Sequence, residues 1–339
     1  GLIGLTVDTK HGGAGMSYLQ AGLVCQAFAR WNHAIALSWV ANENLCLDNI
    51  YRNGSQYIRE KYIPRLCSGE LIGALGLTEP GAGSDALGSM RTSAVKDGDH
   101  YILNGSKTYI TNGSIADIIL VYTKTDIKKA NKGITAFVVE TNNPGFKIIS
   151  KLKKMGFRGS QTNELFFEDF RVPAINMIGK EGEGHVTVMN GLDFERAMIA
   201  PISLGISERA LEISIEYAKI REQFGKPISS FQMIQSKLAD MYTWVQSVRA
   251  LVYMVLSECD AIDKKEGGRG QIHMNTAASV MHAASTCNKV LDETVQIHGG
   301  MGYMWESEAN RLYRSSKMLE IGAGTTEVRK MVISKGLLH

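Results

Sequence analysis

Between residues 231 and 255 the apolar side chains fall at Phe231, Ile234, Leu238, Met241, Val245, Val248, Val252 and Val255, in steps that alternate between three and four. This rhythm draws one stripe down a single helical face, and a stripe that long needs a neighbouring helix along its whole length. It predicts packed antiparallel helices. Further helical patterns near 186–220, 229–262, 271–297 and 325–337 complete an expected four-helix bundle over residues 174–339.

The rest of the chain changes rhythm twice. Residues 1–70 are helical in pattern after a Gly-rich start, most clearly in SYLQAGLVCQAFARW and SQYIREKYIPRL. Residues 71–173 break into short segments rich in β-branched and aromatic residues, such as DIILVYTKTD, GITAFVVET and NELFFEDFRVP, punctuated by Gly, Asn, Asp and Pro. The order of helices, a compact barrel-like or two-sheet β domain, then helices implies an α+β chain of three units, 1–70, 71–173 and 174–339. No internal repeat or low-complexity segment occurs.

Composition narrows the function classes. A net charge of +3 with no long basic run argues against a nucleic-acid surface, and KLKK at 151–154 reads as a solvated edge. No run of 18 apolar residues is present, so no transmembrane segment is expected, and there is no signal or transit pattern. The chain begins abruptly at GLIGLTV without Met, which suggests that a leading segment is missing. Cys25, Cys46, Cys67, Cys259 and Cys287 are scattered and odd in number, as small buried hydrophobes in a reducing compartment would be. The histidines show no metal-ligand spacing, so no metal is expected. HGGAG at 11–15 has no G-x-S-x-G to serve and reads as a turn; P-loop, dinucleotide-fold and H-E-x-x-H signatures are absent.

One stretch resists a bland reading. In NGLDFERAMIAP, Glu195 is flanked by Leu192, Phe194, Ala197, Met198, Ile199 and Ala200. It is either a surface carboxylate paired with a base or a carboxylate held in an apolar pocket to take a proton.

Six motifs favour the second alternative: LGLTEPGAGSD (75–85), YITNGS (109–114), FRGSQTNE (157–164), REQFGKPI (221–228), QIHGGMGY (296–303) and IGAGTTEVRK (321–330). In this order and spacing, and over essentially the whole chain, they resemble the flavin-dependent acyl-CoA dehydrogenase family. The resemblance implies N-terminal helices (the first of them absent here), a middle β domain, a C-terminal four-helix bundle, and FAD as cofactor. Most family members carry the catalytic Glu just before the C-terminal G-T-S; here that place is Ala323. The isovaleryl-CoA dehydrogenase subgroup carries it on a helix in a segment like LDLER, which corresponds to LDFER and Glu195.

The reaction so implied removes an α-proton from a thioester while hydride leaves the β-carbon for the flavin. Burial raises the pKa of a carboxylate and makes it a stronger base. Hydrogen bonds to the thioester oxygen stabilise the developing enolate, one donor contributing roughly 3–4 kcal/mol. By resemblance those donors are the Ala323 N–H and a ribityl hydroxyl. The loop Leu75 to Ser84, with Leu77, Thr78, Gly83 and Ser84, would hold the flavin ring, flanked by Tyr109, Ile110 and Thr111. Thr325, Thr326 and Glu327 would contact FAD, with Thr325 capping a helix. Arg221, Gln232, Gln296, Gly299 and Gly300 would reach FAD across a subunit interface. Ser84, Asn131, Lys132, Val186, Asp193, Phe194, Ile199, Ala323 and Gly324 would line the substrate, with Arg196 steadying the site.

Tyr109 stands where the subgroup usually has Trp, His298 where an aromatic hydrocarbon ring is common, and Val186 where a Tyr is frequent; API at 200–202 replaces a Gly-rich turn. These departures leave the acyl group open. A related group oxidises a prolyl thioester on a carrier protein, and its E-R-A segment resembles Glu195–Ala197. A flavin-binding scaffold without turnover is the reading of another class. The resemblance further implies an electron-transfer flavoprotein or oxygen as acceptor and a homotetramer. The compartment would be the cytoplasm in a bacterium or the mitochondrial matrix in a eukaryote.

Overall fold

The computed structural model describes residues 1–262 and 270–338; positions 263–269 and 339, which the expected bundle range includes, lie outside them. Helix α1 (Tyr18–Val40) opens with a reciprocal cap, in which Ser17 accepts from Gln20 N and the Gln20 side chain accepts from Ser17 N. It runs directly into a π-helical segment, Ala41–Asp48, followed by α2 (Asn49–Asn53) and α3 (Gln56–Ser68). The wide π turn is uncommon. Here it is held by polar side chains turned inward. Asn42 Oδ1 accepts from Gly73 N at 2.6 Å, and the Glu43 carboxylate accepts from Gly4 N and Leu5 N, both at 2.6 Å.

The middle region is built from β1 (Gly73–Gly76), β2 (Ser93–Asp97), β3 (His100–Thr111), β4 (Ile118–Lys124), β5 (Ile134–Glu140), β6 (Phe146–Lys151), β7 (Thr162–Pro173) and β8 (Met177–Ile178). The sheet runs β6-β7-β3-β2-β4-β5-β8, with β1 parallel to β4. Side chains alternate across a strand, and β4 is buried on both faces. Ile119 and Val121 meet Leu103, Ile110, Leu165 and Phe167 in the interior of the β region. Ile118, Leu120 and Tyr122 face the helices, packing with Leu47, Ile50, Ile58 and Val188. Two-sided burial explains why this strand reads as an unbroken apolar run. The KLKK edge is only partly solvated, since Lys154 turns inward and donates to Ser160 O and Thr162 Oγ1, both at 2.6 Å.

Helix α4 (Gly184–Ile220) is the axis of the C-terminal half and packs against α1, α5 (Gln232–Ala261) and α6 (Gly270–His298). A two-stranded hairpin, β9 (Glu222–Gln223) with β10 (Lys226–Pro227), links α4 to α5. Short helices α7 (Gly300–Tyr303) and α8 (Glu308–Ser316) lead to α9 (Thr326–Leu338), which lies on α6. The stripe on α5 forms the seam, with Met241, Val245, Val248, Val252 and Val255 buried; Phe231, Ile234 and Leu238 lie at its half-open end. Helix α4 runs through API at 200–202 without a break, as the helical pattern over 186–220 predicts. Although Pro201 cannot donate to Ala197 O, α4 continues through it, fixed on both sides by buried neighbours such as Ala197, Met198, Ile202 and Leu204. No described helix is long and apolar enough to cross a membrane, and all five cysteines are buried and free.

Candidate active site

Glu195 sits where α2, α4 and β4 meet. It is 6% exposed, which removes the surface reading. Asn49 Nδ2 donates to Glu195 Oε1 at 3.2 Å. The amide reaches that far because residue 191, one turn before Glu195, is glycine; a Cβ there would lie 2.7 Å from Asn49 Nδ2. Arg52 fixes the same helix. Its Nη1 donates to Asn190 O at 3.1 Å, its Nε to Asp48 Oδ2 at 2.8 Å, and its guanidinium lies 4.5 Å from the centre of the Phe194 ring. Tyr18 OH completes the cluster with Asp48. Burial pushes the Glu195 carboxyl up to about 7, against the charges of Arg52 and Arg196 and the Asn49 bond. The pocket is therefore buried but charged, a correction to the purely apolar one expected. Asn49, Arg52, Asp48, Gly191 and the buried Tyr122 hydroxyl, which has no partner among the described residues, were not singled out in the sequence; the polar run ANENLCLDN inside a helical pattern was the available signal.

Neighbours of Glu195 on α4 are occupied elsewhere. Asp193 Oδ1 is 2.6 Å from His273 Nδ1 and accepts from Thr276 at 3.4 Å. Arg196 Nη1 lies 3.7 Å from Asp193 and 3.5 Å from His273. Phe194 packs on Tyr18, ring centres 4.8 Å apart. Asp193 and Phe194 are each 1% exposed, so neither lines an open acyl pocket, contrary to expectation. Ile199 is buried in the same helical core.

Ala323 packs against that core, in the turn before α9. It has φ 55°, and Gly324 follows at φ 94°. Left-handed backbone costs a residue with a Cβ roughly 1–2 kcal/mol, so something must hold Ala323 there. Arg329, fully buried on the first turns of α9, donates Nη2 to Leu319 O at 3.0 Å and to Gly322 O at 2.5 Å. Thr325 caps α9 by accepting from Val328 N at 3.4 Å, with Thr326 and exposed Glu327 following.

Leu75 on β1 and Leu77 and Thr78 in the loop after it are half-buried, with Gly83 and Ser84 exposed. A buried ion pair anchors the loop. Lys107 Nζ donates to Glu79 Oε1 at 2.9 Å and Leu77 O at 3.1 Å, while Thr92 N and Arg91 N donate to the Glu79 carboxylate. Burial lowers Lys107 to about 8; burial also pushes Glu79 up, but Lys107 and the neighbouring donors outweigh it and hold its carboxyl below the usual range. The β3–β7 register slips between Lys107 and Ile110, and Thr108 N bonds to Thr78 O instead. Tyr109, in that slip, has φ 59° and is 69% exposed. Backbone outliers and β-bulges of this kind concentrate at active sites and ligand clamps, and Ile110 and Thr111 continue the strand from Tyr109.

At the far end of the bundle Arg221, Gln232, Gln296, Gly299 and Gly300 are all exposed. A Cβ at Gly299 or Gly300 would meet nothing within 4 Å, so the backbone there is open to close approach. His298 does the work of an aromatic hydrocarbon, stacking on Tyr217 with ring centres 4.4 Å apart while its Nδ1 pairs with Thr294 O. Asn131 and Lys132 are exposed beside the start of α4, where a Cβ on Gly182 would lie 2.6 Å from Lys132 O; Val186, 43% exposed, is on the next turn. A cleft of about 360 Å³ bordered by Lys61, His100 and Glu140 lies elsewhere on the β region. Two features fit FAD: an anchored loop against an outward β-bulge for a flat ring, and a capped helix N-terminus suited to phosphate.

Three family models match the chain: acyl-CoA dehydrogenase N-terminal domain over residues 1–70, middle domain over 74–170 and C-terminal domain over 182–338. Mitochondrial isovaleryl-CoA dehydrogenase of Pongo abelii is 44% identical over 99% of this chain and 78% of its own length. The structure of butyryl-CoA dehydrogenase from Megasphaera elsdenii superposes with a TM-score of 0.95 at 40% identity, covering all of this chain and 88% of that one. The prolyl acyl carrier protein oxidase AnaB gives a TM-score of 0.93 at 30% identity, over all of this chain and 88% of that chain.

Proposed function

Because the chain belongs to the acyl-CoA dehydrogenase family and is an FAD-dependent oxidoreductase acting on the acyl CH–CH bond, we propose that it dehydrogenates a short branched acyl-CoA of the isovaleryl type, with Glu195 as base. The observation that carries this reading is a buried carboxylate on α4, raised to about 7, in a chain whose other family position for the base is Ala323. A carboxylate poised near neutral pH combines useful basicity with a substantial ionised fraction.

Glu195 takes the α-proton. The N–H of Ala323 donates to the thioester oxygen as charge gathers there. Asn49 and Arg52 orient Glu195 and α4, and Arg196 steadies the helix through Asp193 and His273. The loop from Leu75 to Ser84 and the bulge at Tyr109–Thr111 hold the ring of FAD, with Thr325, Thr326 and Glu327 at its polar groups. FAD supplies the hydride acceptor when bound. Asn131, Lys132 and Val186 lie toward the handle of the substrate. Arg221, Gln232, Gln296, Gly299 and Gly300 complete the FAD site of a neighbouring subunit in a homotetramer, and an electron-transfer flavoprotein takes the electrons onward.

Anaerobic bleaching of the flavin visible band tests this. Rapid bleaching by isovaleryl-CoA is expected; bleaching only by a prolyl-loaded carrier protein would move the enzyme to the chemistry for which AnaB is named. A flavin that no thioester bleaches would leave a scaffold without turnover.

A further inference from the structure

The Gly322 carbonyl and the Ala323 N–H belong to one peptide unit. That unit is planar and trans, so its C=O and N–H point in opposite directions. Whatever grips the Gly322 oxygen therefore aims the Ala323 hydrogen. The grip is Arg329 Nη2, 2.5 Å from Gly322 O, and the same nitrogen bonds to Leu319 O at 3.0 Å. At the other end of the same glycine, Gly322 N donates to Met318 O at 2.8 Å. Among the described residues, no acceptor takes the Ala323 N–H.

We infer that Arg329 is a positioning residue for the thioester oxygen: it locks the Gly322–Ala323 peptide in its left-handed turn, aims the Ala323 N–H, and polarises it as a donor. The inference rests on the reading that Ala323 N–H faces the substrate carbonyl. Three features favour this role over plain packing. A guanidinium bonded to a carbonyl is a charge-assisted donor, and drawing electron density toward that oxygen strengthens the N–H at the other end of the amide. Arg329 is 0% exposed, yet Nε and Nη1 have no partner among the described residues. Burial lowers it to about 10, and the charge of Arg196 adds to the effect. A charge kept at that cost for two carbonyls on one turn is costly as mere structure.

The test is the carbonyl stretch of bound 3-methylbut-2-enoyl-CoA carrying carbon-13 at C1, read by isotope-edited infrared difference spectroscopy on the FAD-loaded enzyme. In the wild type the band shifts below its position in free solution. In Arg329→Met it moves back toward that position, and kcat falls on the order of 10- to 100-fold, the range for lost supporting bonds, with a smaller change in KM. Arg329→Lys keeps a cation that can reach Gly322 O and gives an intermediate band, which decides the matter should Arg329→Met fail to fold. A variant with wild-type FAD content whose band stays at the wild-type position would overturn the inference. Glu195→Gln separates the two claims: it abolishes flavin bleaching but leaves the band shifted. If Glu195→Gln still turns over, the assignment of the base falls while the Arg329 result stands.

Discussion

Two buried carboxylates in this molecule are pushed to about 7 by burial, Glu43 in the π-helical segment and Glu195 on α4, and their surroundings differ. Both oxygens of Glu43 are taken by backbone donors, Gly4 N on Oε2 and Leu5 N on Oε1, which tie the start of the chain to the helices. Glu195 has one neutral side-chain donor, Asn49, at 3.2 Å. An ionised carboxylate can accept about four hydrogen bonds. Burial raises both groups, and the capacity left over separates a structural acid from one free to take a proton.

The largest expected effect breaks the comparison on the Glu195 side. Glu195→Gln should lower the rate of flavin bleaching by on the order of 10²–10⁴, the contribution of a positioned general base, with FAD content unchanged. Glu43→Gln should do the converse. It places an amide NH₂ against one of the two backbone donors and costs about 1–3 kcal/mol, seen as a lower Tm, while folded enzyme keeps its turnover within a small factor.

A finer probe is Gly191→Ala, whose Cβ displaces the Asn49 amide. Losing the bond that favours ionised Glu195 should raise the apparent pKa of kcat/KM by roughly one unit, equivalent to about 1.4 kcal/mol. Asn49→Leu should move it the same way; unchanged profiles in both variants would remove Asn49 from the account.

A further effect is on stability against pH. With a folded pKa near 7 and an unfolded one in the ordinary carboxylate range, the native state holds more protons between the two values. Stability is then greatest below that interval, falls as pH rises through it, and levels off above pH 7, each group accounting for up to about 3 kcal/mol. Glu195→Gln removes one of the two contributions, so its denaturant midpoint should fall less than the wild type's between pH 5 and 8.

The sequence made the repeating parts legible. The α5 stripe, the β-branched segments of the sheet and the Thr325 cap follow from local periodicity and capping chemistry, and Glu195 stood out as a carboxylate in an apolar run. The supports of the site were hidden because they depend on distant partners. Asn42, Glu43 and Asp48 fall in a helical pattern that gave them no role; they form a π-helical wall only because Gly73, Gly4, Leu5, Arg52 and Tyr18 meet them. The helix over 186–220 was legible in its pattern despite Pro201, and tertiary packing carries it through. Arg329, within the IGAGTTEVRK motif, was given no role from the sequence, because its role depends on the turn it grips.

Glu195, held ready by α2, is the proposed proton acceptor. Stopped-flow anaerobic bleaching by isovaleryl-CoA, followed from pH 6 to 9 in the wild type and in Glu195→Gln, tests it most directly. The expected result is a wild-type second-order bleaching rate constant that climbs with pH through a midpoint near 7, and a variant that stays slow throughout. A Glu195→Gln enzyme that bleaches at a comparable rate, with the same pH midpoint, would contradict it.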